Sequence, residues 1–273
     1  MNEIIVKEVL AEKIKKIEVR VPEIAAKALP GQFVVLRINE EGERIPLTVQ
    51  KTDPLAGTIT LIFLEIGKST TLLGELEEGD EILNVAGPLG TPSEIENYGT
   101  CVIVGGGIGS ACALPVARAL KEAGNYVVSI IGAKTKDLLI LENEFDEISD
   151  ELHITTDDGS YGRKGFTVMV LQDMLESGRE IDYVYSVGPV VMMRSVANIT
   201  RERSVKTVVS LNPIMVDATG MCGGCRVMVG GETKFACVDG PEFDAHQVDF
   251  DLLLKRQRYY LEEEECALNR AGA

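Results

Sequence analysis

Three cysteines carry the clearest chemistry in this sequence. Cys222, Cys225 and Cys237 lie in the glycine-rich segment MVDATGMCGGCRVMVGGETKFACVDG (215–240), spaced Cys-x2-Cys-x11-Cys, and Asp217 stands five positions before Cys222. A ligand followed by x4-Cys-x2-Cys and a later cysteine is the plant-type spacing of a [2Fe–2S] cluster, here with aspartate in the first position. Glycines let such a loop fold back on itself, so that sulfurs and amides point at one centre. The pattern predicts a one-electron centre on this loop.

The same residues leave other interpretations open. Zinc also binds Cys-x2-Cys pairs, although it usually takes a second close pair, which this sequence lacks. The three thiols could carry no metal, and an aspartate in a glycine-rich turn is commonly a turn former, so Asp217 is the least secure ligand. A disulfide framework is disfavoured, because the chain is long and its first twenty residues have no secretory pattern.

Composition narrows the function classes. The chain has 273 residues, with 45% hydrophobic and 26% charged, which is typical of a soluble globular protein of two or three domains. A net charge of −16 argues against nucleic-acid binding, which needs clustered lysine and arginine. No run of 18 apolar residues is present, so we expect no membrane contact. Six cysteines without a secretory signal predict reduced, metal-binding thiols and a cytoplasmic protein.

The order of patterns predicts a mixed β and α/β fold. Residues 1–90 contain short runs of branched residues separated by turn residues, which favour a small antiparallel β-barrel. Residues 87–99 are rich in glycine and proline and are expected to be a linker. Residues 100–210 alternate strand-like and helix-like segments, as in a doubly wound parallel sheet. Residues 211–273 hold the cysteine loop and a charged segment, 246–265, expected to form one terminal helix.

Three glycine-containing loops are predicted at one edge of that parallel sheet. GGGIG (105–109), TDDGSYGRKG (156–165) and the Gly-Pro pair at 188–189 each follow a predicted strand. Ligands of such sheets bind at the carboxyl ends of the strands, where glycine lets a phosphate approach the backbone. The loops therefore favour a nucleotide crevice, although GxGxxG is absent and a tight turn without ligand is the alternative.

Two segments of the first domain could contact a flavin. In RIPLT (44–48) an arginine could pair with a pyrophosphate and a threonine hydroxyl could bond a flavin ring edge. The alternative is an exposed arginine before an ordinary strand. GKST (67–70) is not a complete Walker motif, because position 62 is isoleucine, and it could be a loop without a nucleotide.

The succession of these segments resembles the ferredoxin–NADP reductase superfamily. It is more closely similar to the electron-transfer subunits of class 1B dihydroorotate dehydrogenase, and most similar to the small (alpha) subunits of NADH-dependent ferredoxin:NADP oxidoreductase. The motifs that carry the resemblance are RIPLT, GKSTTLL, GPLG, GGGIG, DDGSYG, SVGPVVMM, SLNPIMVDATGMCGGCRV and KFACVDGPEFD. The dihydroorotate family has four cysteines at its cluster, whereas the small-subunit family has aspartate where this chain has Asp217.

The resemblance implies a set of cofactor contacts and an arrangement of domains. It implies FAD on 1–90, NAD(H) on 100–210 and the [2Fe–2S] cluster on 211–273. The implied FAD contacts are Arg44, Pro46, Leu47, Thr48, Ile62, Leu64, Ser69 and Thr70. The implied nicotinamide nucleotide contacts are Gly106, Gly107, Ile108, Asp158, Gly188 and Pro189. The implied cluster ligands are Asp217, Cys222, Cys225 and Cys237. The choice of NAD(H) over NADP(H) rests on the resemblance, because Lys134 and Lys136 could equally take a 2′-phosphate.

The resemblance also implies a partner and a route for electrons. NADH gives two electrons together and a [2Fe–2S] cluster takes one, so FAD is expected between them, with no side chain acting as acid or base. Electrons would pass to a larger flavin and [4Fe–4S] subunit that binds NADP(H) and exchanges with ferredoxin by electron bifurcation. The cluster loop and the 246–265 segment are expected to face it. Two alternatives are an electron-transfer subunit of a dihydroorotate dehydrogenase and a redox sensor that binds nucleotide without turnover.

Overall fold

The amino-terminal part of the chain folds into a rolled antiparallel sheet. A computed structural model describes the backbone of residues 2–271 and the side chains of residues 2–268. The strands are β1 Ile4–Ala11, β2 Ile14–Arg20, β3 Phe33–Arg37, β4 Arg44–Asp53, β5 Thr58–Leu64 and β6 Asn84–Leu89. They pair in the order β1-β2-β5-β4-β3-β6. Two helices, α1 Pro22–Ala25 and α2 Lys68–Glu75, follow β2 and β5. Alternate side chains, such as Ile17, Val19, Ile59 and Leu61, are fully buried inside the roll.

The roll closes only partly. In residues 2–271, β1 and β6 share no ladder. Their edges are joined just before β6, where Glu3 bridges Glu81 and the amide of Ile82 donates to the carbonyl of Asn2 at 2.9 Å. The predicted antiparallel β unit is confirmed, and in this structure it is an open barrel.

The second sheet has seven strands. These and their helices are β7 Thr100–Gly106, α3 Gly109–Glu122, β8 Tyr126–Ala133, α4 Glu142–Ile148, β9 Glu151–Thr156, β10 Arg163–Lys164, α5 Thr167–Glu176, β11 Tyr183–Val187, α6 Val190–Arg201, β12 Lys206–Ser210 and β15 Glu242–Asp244. The order is β10-β9-β8-β7-β11-β12-β15. Every pairing is parallel except that of β15 with β12. The predicted doubly wound sheet is confirmed.

Helices cover both faces of this sheet. On β7, Cys101 and Ile103 point to the face covered by α3 and α4, while Val102 and Val104 point to the face covered by α5 and α6. All four side chains are fully buried. Burial on both faces explains why the strand reads as a continuous apolar run rather than as an alternation.

The carboxyl-terminal part packs against both sheets. It contains the hairpin β13 Arg226–Val229 and β14 Glu232–Phe235, strand β15, and helices α7 Phe250–Arg256 and α8 Leu261–Ala271. One apolar cluster joins Phe33 of β3 and Met193 of α6 to Cys225, Cys237 and Leu253. The cysteine loop is therefore held by contacts with both halves of the molecule.

Several local expectations differ from the structure. The expected helix over 246–265 is two helices, α7 and α8, separated by turns at 257–260. The segment KDLLILENEFDEI (136–148), one of the helix-like segments predicted in 100–210, is not one helix. It forms a 3₁₀ turn at Lys136–Leu138 and then α4, because Ile140 is buried between the two halves. The GKST segment is not a loop but begins α2. None of the helices within 2–271 combines the length and apolar character needed to cross a bilayer.

Candidate functional site

Two of the predicted ligands form a buried pair. Cys225 ends the glycine loop just before β13, and Cys237 follows β14, so the hairpin returns the chain to its start. Their Sγ atoms lie 3.2 Å apart, and each residue is only 2% exposed. Burial, and then the neighbouring Cys225 thiol, raises the pKa of Cys237 to about 12. A cation would be needed to hold the Cys237 thiol as a thiolate, because low dielectric disfavours the charged form.

The other two predicted ligands form a more exposed pair. The Asp217 carboxylate accepts the amide of Thr219 at 3.0 Å. That bond, and then contact with the Cys222 thiol, lowers the pKa of Asp217. Cys222 is exposed, and its Sγ accepts the amide of Gly224 at 3.4 Å. The four ligands predicted from the sequence thus form two neighbouring pairs in the structure.

The four donors match a two-iron cluster in type and in number. Within the described residues, no group of three or more His, Cys, Asp or Glu side chains surrounds a single point at ion-binding geometry. A [2Fe–2S] cluster needs two donors on each iron, which one buried pair and one exposed pair can supply. The donor set therefore fits a two-iron cluster on Asp217, Cys222, Cys225 and Cys237.

Two of the three predicted nucleotide loops meet at a break in strand order. From β7 the chain runs to β8 and β9 on one side of the sheet and then crosses to β11 and β12 on the other. Gly106 ends β7 and Gly188 follows β11, and these two strands are neighbours. Their backbones touch, since a Cβ on Gly188 would lie 3.1 Å from the Cα of Gly106. Such a switch point opens a crevice at the carboxyl ends of the strands.

The crevice offers backbone donors and open space. Helix α3 begins at Gly109 and helix α6 at Val190, so two helix N-termini converge beside it. The amides of Ser110 and Met192 already donate to the carbonyls of Gly107 and Pro189. The donors left for an anion are therefore the amides of the first residue or two of each helix, where the helix dipole also favours negative charge. Gly107 has φ +56°, and a Cβ built there would meet no atom within 4 Å. A dinucleotide pyrophosphate fits this combination of donors and room.

Asp158 lies apart from the other predicted nucleotide residues. It follows β9, which is separated from β7 by β8. Its Oδ1 accepts from the amide of Ser160 at 2.9 Å and from the Ser160 hydroxyl at 2.7 Å, and these bonds lower the pKa of Asp158. The structure brings Gly106, Gly107, Ile108, Gly188 and Pro189 together, whereas Asp158 stands at the far side of the crevice.

Three of the predicted flavin residues lie on one face of β4, and a fourth lies on its other face. Along β4 the side chains of Arg44, Pro46 and Thr48 share a face by strand alternation, whereas Leu47 packs against the interior of the roll. Arg44 is exposed at the start of β4. An accessible guanidinium can bind a phosphate in two-point geometry.

Helix α2 stands beside this face. The Thr70 hydroxyl accepts the amides of Ile66 and Gly67 at 3.0 and 3.1 Å, which fixes the start of the helix. A Cβ on Gly67 would meet nothing within 4 Å. Ser69 is 8% exposed, and its hydroxyl lies 3.4 Å from the carboxylate of Glu43, which the sequence interpretation had not included. The free amides of the first turn suit a phosphate group.

The flavin face and the nucleotide loop meet at one interface. A single apolar cluster contains Ile62 of β5 and Ala111 of α3, with Leu64 and Ile108 packed against it. Thr48 also contacts Cys112 of α3, and this contact opposes the rise that burial causes in the pKa of the thiol. Residues predicted to contact two different cofactors therefore share one boundary between the sheets.

A carboxylate that sequence reasoning missed lies where the parts of the chain join. Glu242 of β15 accepts a hydrogen bond from the Ser93 hydroxyl at 2.6 Å and one from the Tyr185 hydroxyl at 2.8 Å. Burial raises the pKa of Glu242, and the two hydroxyl donors oppose the rise. Gly31 must be glycine here, because its φ is +82° and a Cβ would lie 2.7 Å from Glu242. Nothing local in the sequence marks these residues, since they are far apart in the chain.

Comparison with known proteins agrees with this geometry. Residues 212–249 match the family model described as the iron–sulfur cluster binding domain of dihydroorotate dehydrogenase B. A Thermotoga maritima protein named dihydroorotate dehydrogenase B (NAD(+)), electron transfer subunit homolog, is 52% identical over 99% of this chain and 95% of its own length. A probable electron transfer subunit of the same enzyme from Methanopyrus kandleri is 35% identical over 84% of each chain.

A solved structure covers the whole fold. It comes from work on flavin-based electron bifurcation in an NADH-dependent reduced ferredoxin-NADP oxidoreductase. The match has a TM-score of 0.94 and 50% identity, over 100% of this chain and 98% of that one. The antiparallel roll, the parallel sheet and the cysteine loop thus occur in the same arrangement in a similar protein.

Proposed function

This chain belongs to the family of dihydroorotate dehydrogenase B electron transfer subunits and their homologues, and on that premise we propose that it is the FAD and [2Fe–2S] subunit of an NADH-dependent ferredoxin–NADP oxidoreductase. In this role it exchanges hydride with NAD(H) and passes single electrons to a larger partner subunit. We assign residues 1–90 to FAD, 100–210 to NAD(H), and 211–273 to the cluster and the partner.

One observation carries the proposal. The strand face of Thr48 and Ile62 and the glycine loop of Ile108 meet in one interface, so groups bound to the two faces would be in contact. Hydride transfer requires such contact, because the reacting atoms must lie about 3–3.5 Å apart. When bound, FAD supplies the exchange between two-electron and one-electron chemistry. The protein orients the nucleotide on Gly106, Gly107 and Gly188 and needs no side chain as acid or base.

Arg44 and the first turn of α2 are assigned to the FAD pyrophosphate. The guanidinium supplies paired donors, and the amides at the helix start supply more, so together they would neutralise the phosphate charge. Thr48 would hold the ring edge through its hydroxyl. Asp158, at the far end of the crevice, is assigned to the adenosine half of NAD(H), where an acidic side chain can accept from ribose hydroxyls.

An anaerobic NADH titration tests the assignment. We expect the visible spectrum of the purified chain to show flavin and [2Fe–2S] bands that bleach together as NADH is added, and to respond much less to NADPH. A colourless protein, or one that carries zinc and no flavin, would refute the proposed function. Flavin that stays oxidised under excess NADH would support the redox-sensor alternative instead.

The partner is proposed to be a larger flavin and [4Fe–4S] subunit that binds NADP(H) and exchanges with ferredoxin. Homologues named as electron transfer subunits imply a catalytic partner. Apolar side chains around the cysteine loop, Val216 at 55% and Met221 at 87% exposure, suit a contact surface. A cytoplasmic location is part of the proposal, because the cysteines must stay reduced to bind iron.

The contact is best tested by point substitution. Deleting 250–273 would also remove Phe250 and Leu253, which are buried in the core. We expect Val216→Asp with Met221→Asp to abolish co-purification with the partner while FAD and cluster are retained. Leu55→Asp, at a fully exposed turn of the roll, is the matched control. Unchanged co-purification of the double variant would remove this surface from the proposal.

Dihydroorotate oxidation is the second candidate function. The cluster-domain match at 212–249 favours it, whereas Asp217 in the place of a fourth cysteine disfavours it. The native complex distinguishes the two. Reduction of its flavin by dihydroorotate would favour dihydroorotate oxidation. Reduction of its flavin by NADPH in the presence of ferredoxin would favour the ferredoxin–NADP oxidoreductase.

A further inference from the structure

Two arginines hold the backbone of the loop between Cys222 and Cys225. Nη1 of Arg226 donates to the carbonyl of Gly223 at 2.9 Å, and Nη2 of Arg256 donates to the carbonyl of Gly224 at 3.1 Å. Arg226 begins β13, whereas Arg256 ends α7, 32 residues after Gly224. The two guanidinium groups therefore fix successive peptide units from two different elements.

The first of these peptide units is aimed at a cluster ligand. The amide of Gly224 donates to the Cys222 Sγ at 3.4 Å, while the carbonyl of the same peptide unit accepts from Arg226. A trans peptide is planar, and its C=O and N–H point in opposite directions. Holding the carbonyl toward Arg226 therefore directs the N–H toward the sulfur.

The second peptide unit is fixed from α7. Because Arg256 holds the Gly224 carbonyl, the amide of Cys225 is turned to the opposite side, away from α7. The Arg256 guanidinium also lies 5.4 Å from the centre of the Tyr259 ring, which limits its freedom. A cavity of about 200 Å³ separates this part of α7 from the loop, so the arginine bridges a gap rather than filling a packed core.

We propose that Arg226 and Arg256 clamp the Cys222–Cys225 loop, hold the Gly224 amide toward the Cys222 sulfur and raise the reduction potential of the cluster held there. Hydrogen bonds to cluster sulfurs and nearby charge are the means by which a protein sets this potential. The cluster becomes more negative on reduction, so two cations beside the loop stabilise the reduced form. In a chain of net charge −16, this local positive charge opposes the overall field.

The inference rests on the proposed [2Fe–2S] centre, and a redox titration followed by EPR tests it. The samples are the full chain and its variants Arg226→Gln and Arg256→Gln. Each variant should lower the ratio of reduced to oxidised cluster about tenfold at a fixed potential, equivalent to about 59 mV for one electron. Arg258→Gln removes the same charge two residues beyond Arg256, from an exposed side chain, and should leave the potential near that of the wild type.

A second measurement does not depend on how the variants fold. After exchange into D2O, pulsed EPR of the wild-type chain should detect a strongly coupled deuteron that ¹⁵N-glycine labelling assigns to a glycine amide. Its absence would overturn the proposed orientation of Gly224. Intact clusters with wild-type potentials in both arginine variants would overturn the clamp alone, whereas a wild-type chain without any [2Fe–2S] signal would refute the proposed function itself.

Discussion

The Sγ atoms of Cys225 and Cys237 lie 3.2 Å apart, although the two residues are separated by a whole β-hairpin. Both are buried, whereas the Asp217 and Cys222 pair beside them reaches the surface. A two-iron cluster on these side chains would have one iron in a dry environment and the other near solvent. Substitutions of the two pairs should therefore have different consequences.

Replacing Asp217 by cysteine should alter the cluster without removing it. A thiolate in place of a carboxylate adds sulfur-to-iron charge-transfer absorbance and shifts the midpoint potential by roughly tens of millivolts, because ligand identity sets the potential. The visible spectrum and an EPR-monitored titration measure both. Asp251→Cys, which adds a thiol on an 88% exposed side chain of α7, is the control. Identical spectra and potentials in Asp217→Cys and wild type would exclude Asp217 as a ligand.

Replacing Gly109 by alanine should weaken NAD(H) binding at least tenfold. Its new Cβ would lie 2.8 Å from the Cα of Gly188 and would push the two crevice loops apart, at a cost of about 1–3 kcal/mol. Calorimetric titration measures the affinity. Gly178→Ala is the control for lost stability. Its φ of +79° makes alanine cost about 1–2 kcal/mol, and its added Cβ would have no atom within 4 Å. Equal nucleotide affinities in the two variants would contradict the assignment of this crevice.

Replacing Arg44 by glutamine should weaken FAD retention about tenfold to a hundredfold. Losing a hydrogen bond to a charged group costs about 1.5–3 kcal/mol, and the exposed Arg44 contributes little to the fold itself. Fluorescence titration of the apoprotein with FAD gives the dissociation constant. Arg37→Gln removes a charge from the paired residue on β3, whose guanidinium donates to the carbonyl of Gly42 instead. FAD affinity should depend on Arg44 and not on Arg37.

Glu242 should make stability fall as pH rises. Burial raises its pKa above the ordinary value of 4.5, so the folded chain binds this proton more tightly than the unfolded chain does. Its stabilising contribution is present below pH 4.5 and is lost as pH rises through the folded-state pKa. In urea unfolding from pH 4 to pH 8, the free energy of unfolding of Glu242→Gln should increase relative to that of the wild type as pH increases. Exposed Glu147→Gln should show no such gain, and parallel curves for wild type and Glu242→Gln would contradict the prediction.

Glu151 should have the opposite pH dependence. Hydrogen bonds from Arg179 at 2.7 and 2.8 Å are the main reason that the pKa of Glu151 falls to about 2. The stabilisation is present above the ordinary pKa of 4.5 and is lost as pH falls toward 2. Arg179→Met should lower the free energy of unfolding by about 1 kcal/mol at pH 7, since both side chains are partly exposed. This loss of unfolding free energy should be smaller at pH 3. Arg163→Met, which breaks a more exposed ion pair, is the control and should lower the free energy of unfolding less.

Much of the fold could be predicted because its signals are local. The apolar run at 101–104 predicts a strand buried on both faces, and β7 is one. The prediction of one helix over 246–265 was wrong, because two helices are separated by turns at 257–260. Charged residues occur throughout the segment, so its composition does not mark the turns. Ile140 breaks another predicted helix, because its burial between the two halves outweighs local helical preference.

Donor type and spacing are fixed along the loop from Asp217 to Cys237, so the amino-acid sequence alone indicates which side chains could bind a cluster. It also indicates the alternation of strands and helices, because backbone periodicity sets which residues face a core. Which distant groups meet depends on the folded arrangement of the whole chain. Arg256 reaches Gly224, and Glu242 reaches Ser93 and Tyr185, through contacts that exist only after the sheets have packed. Such contacts depend on the position of whole elements in space, which no local pattern of residues encodes.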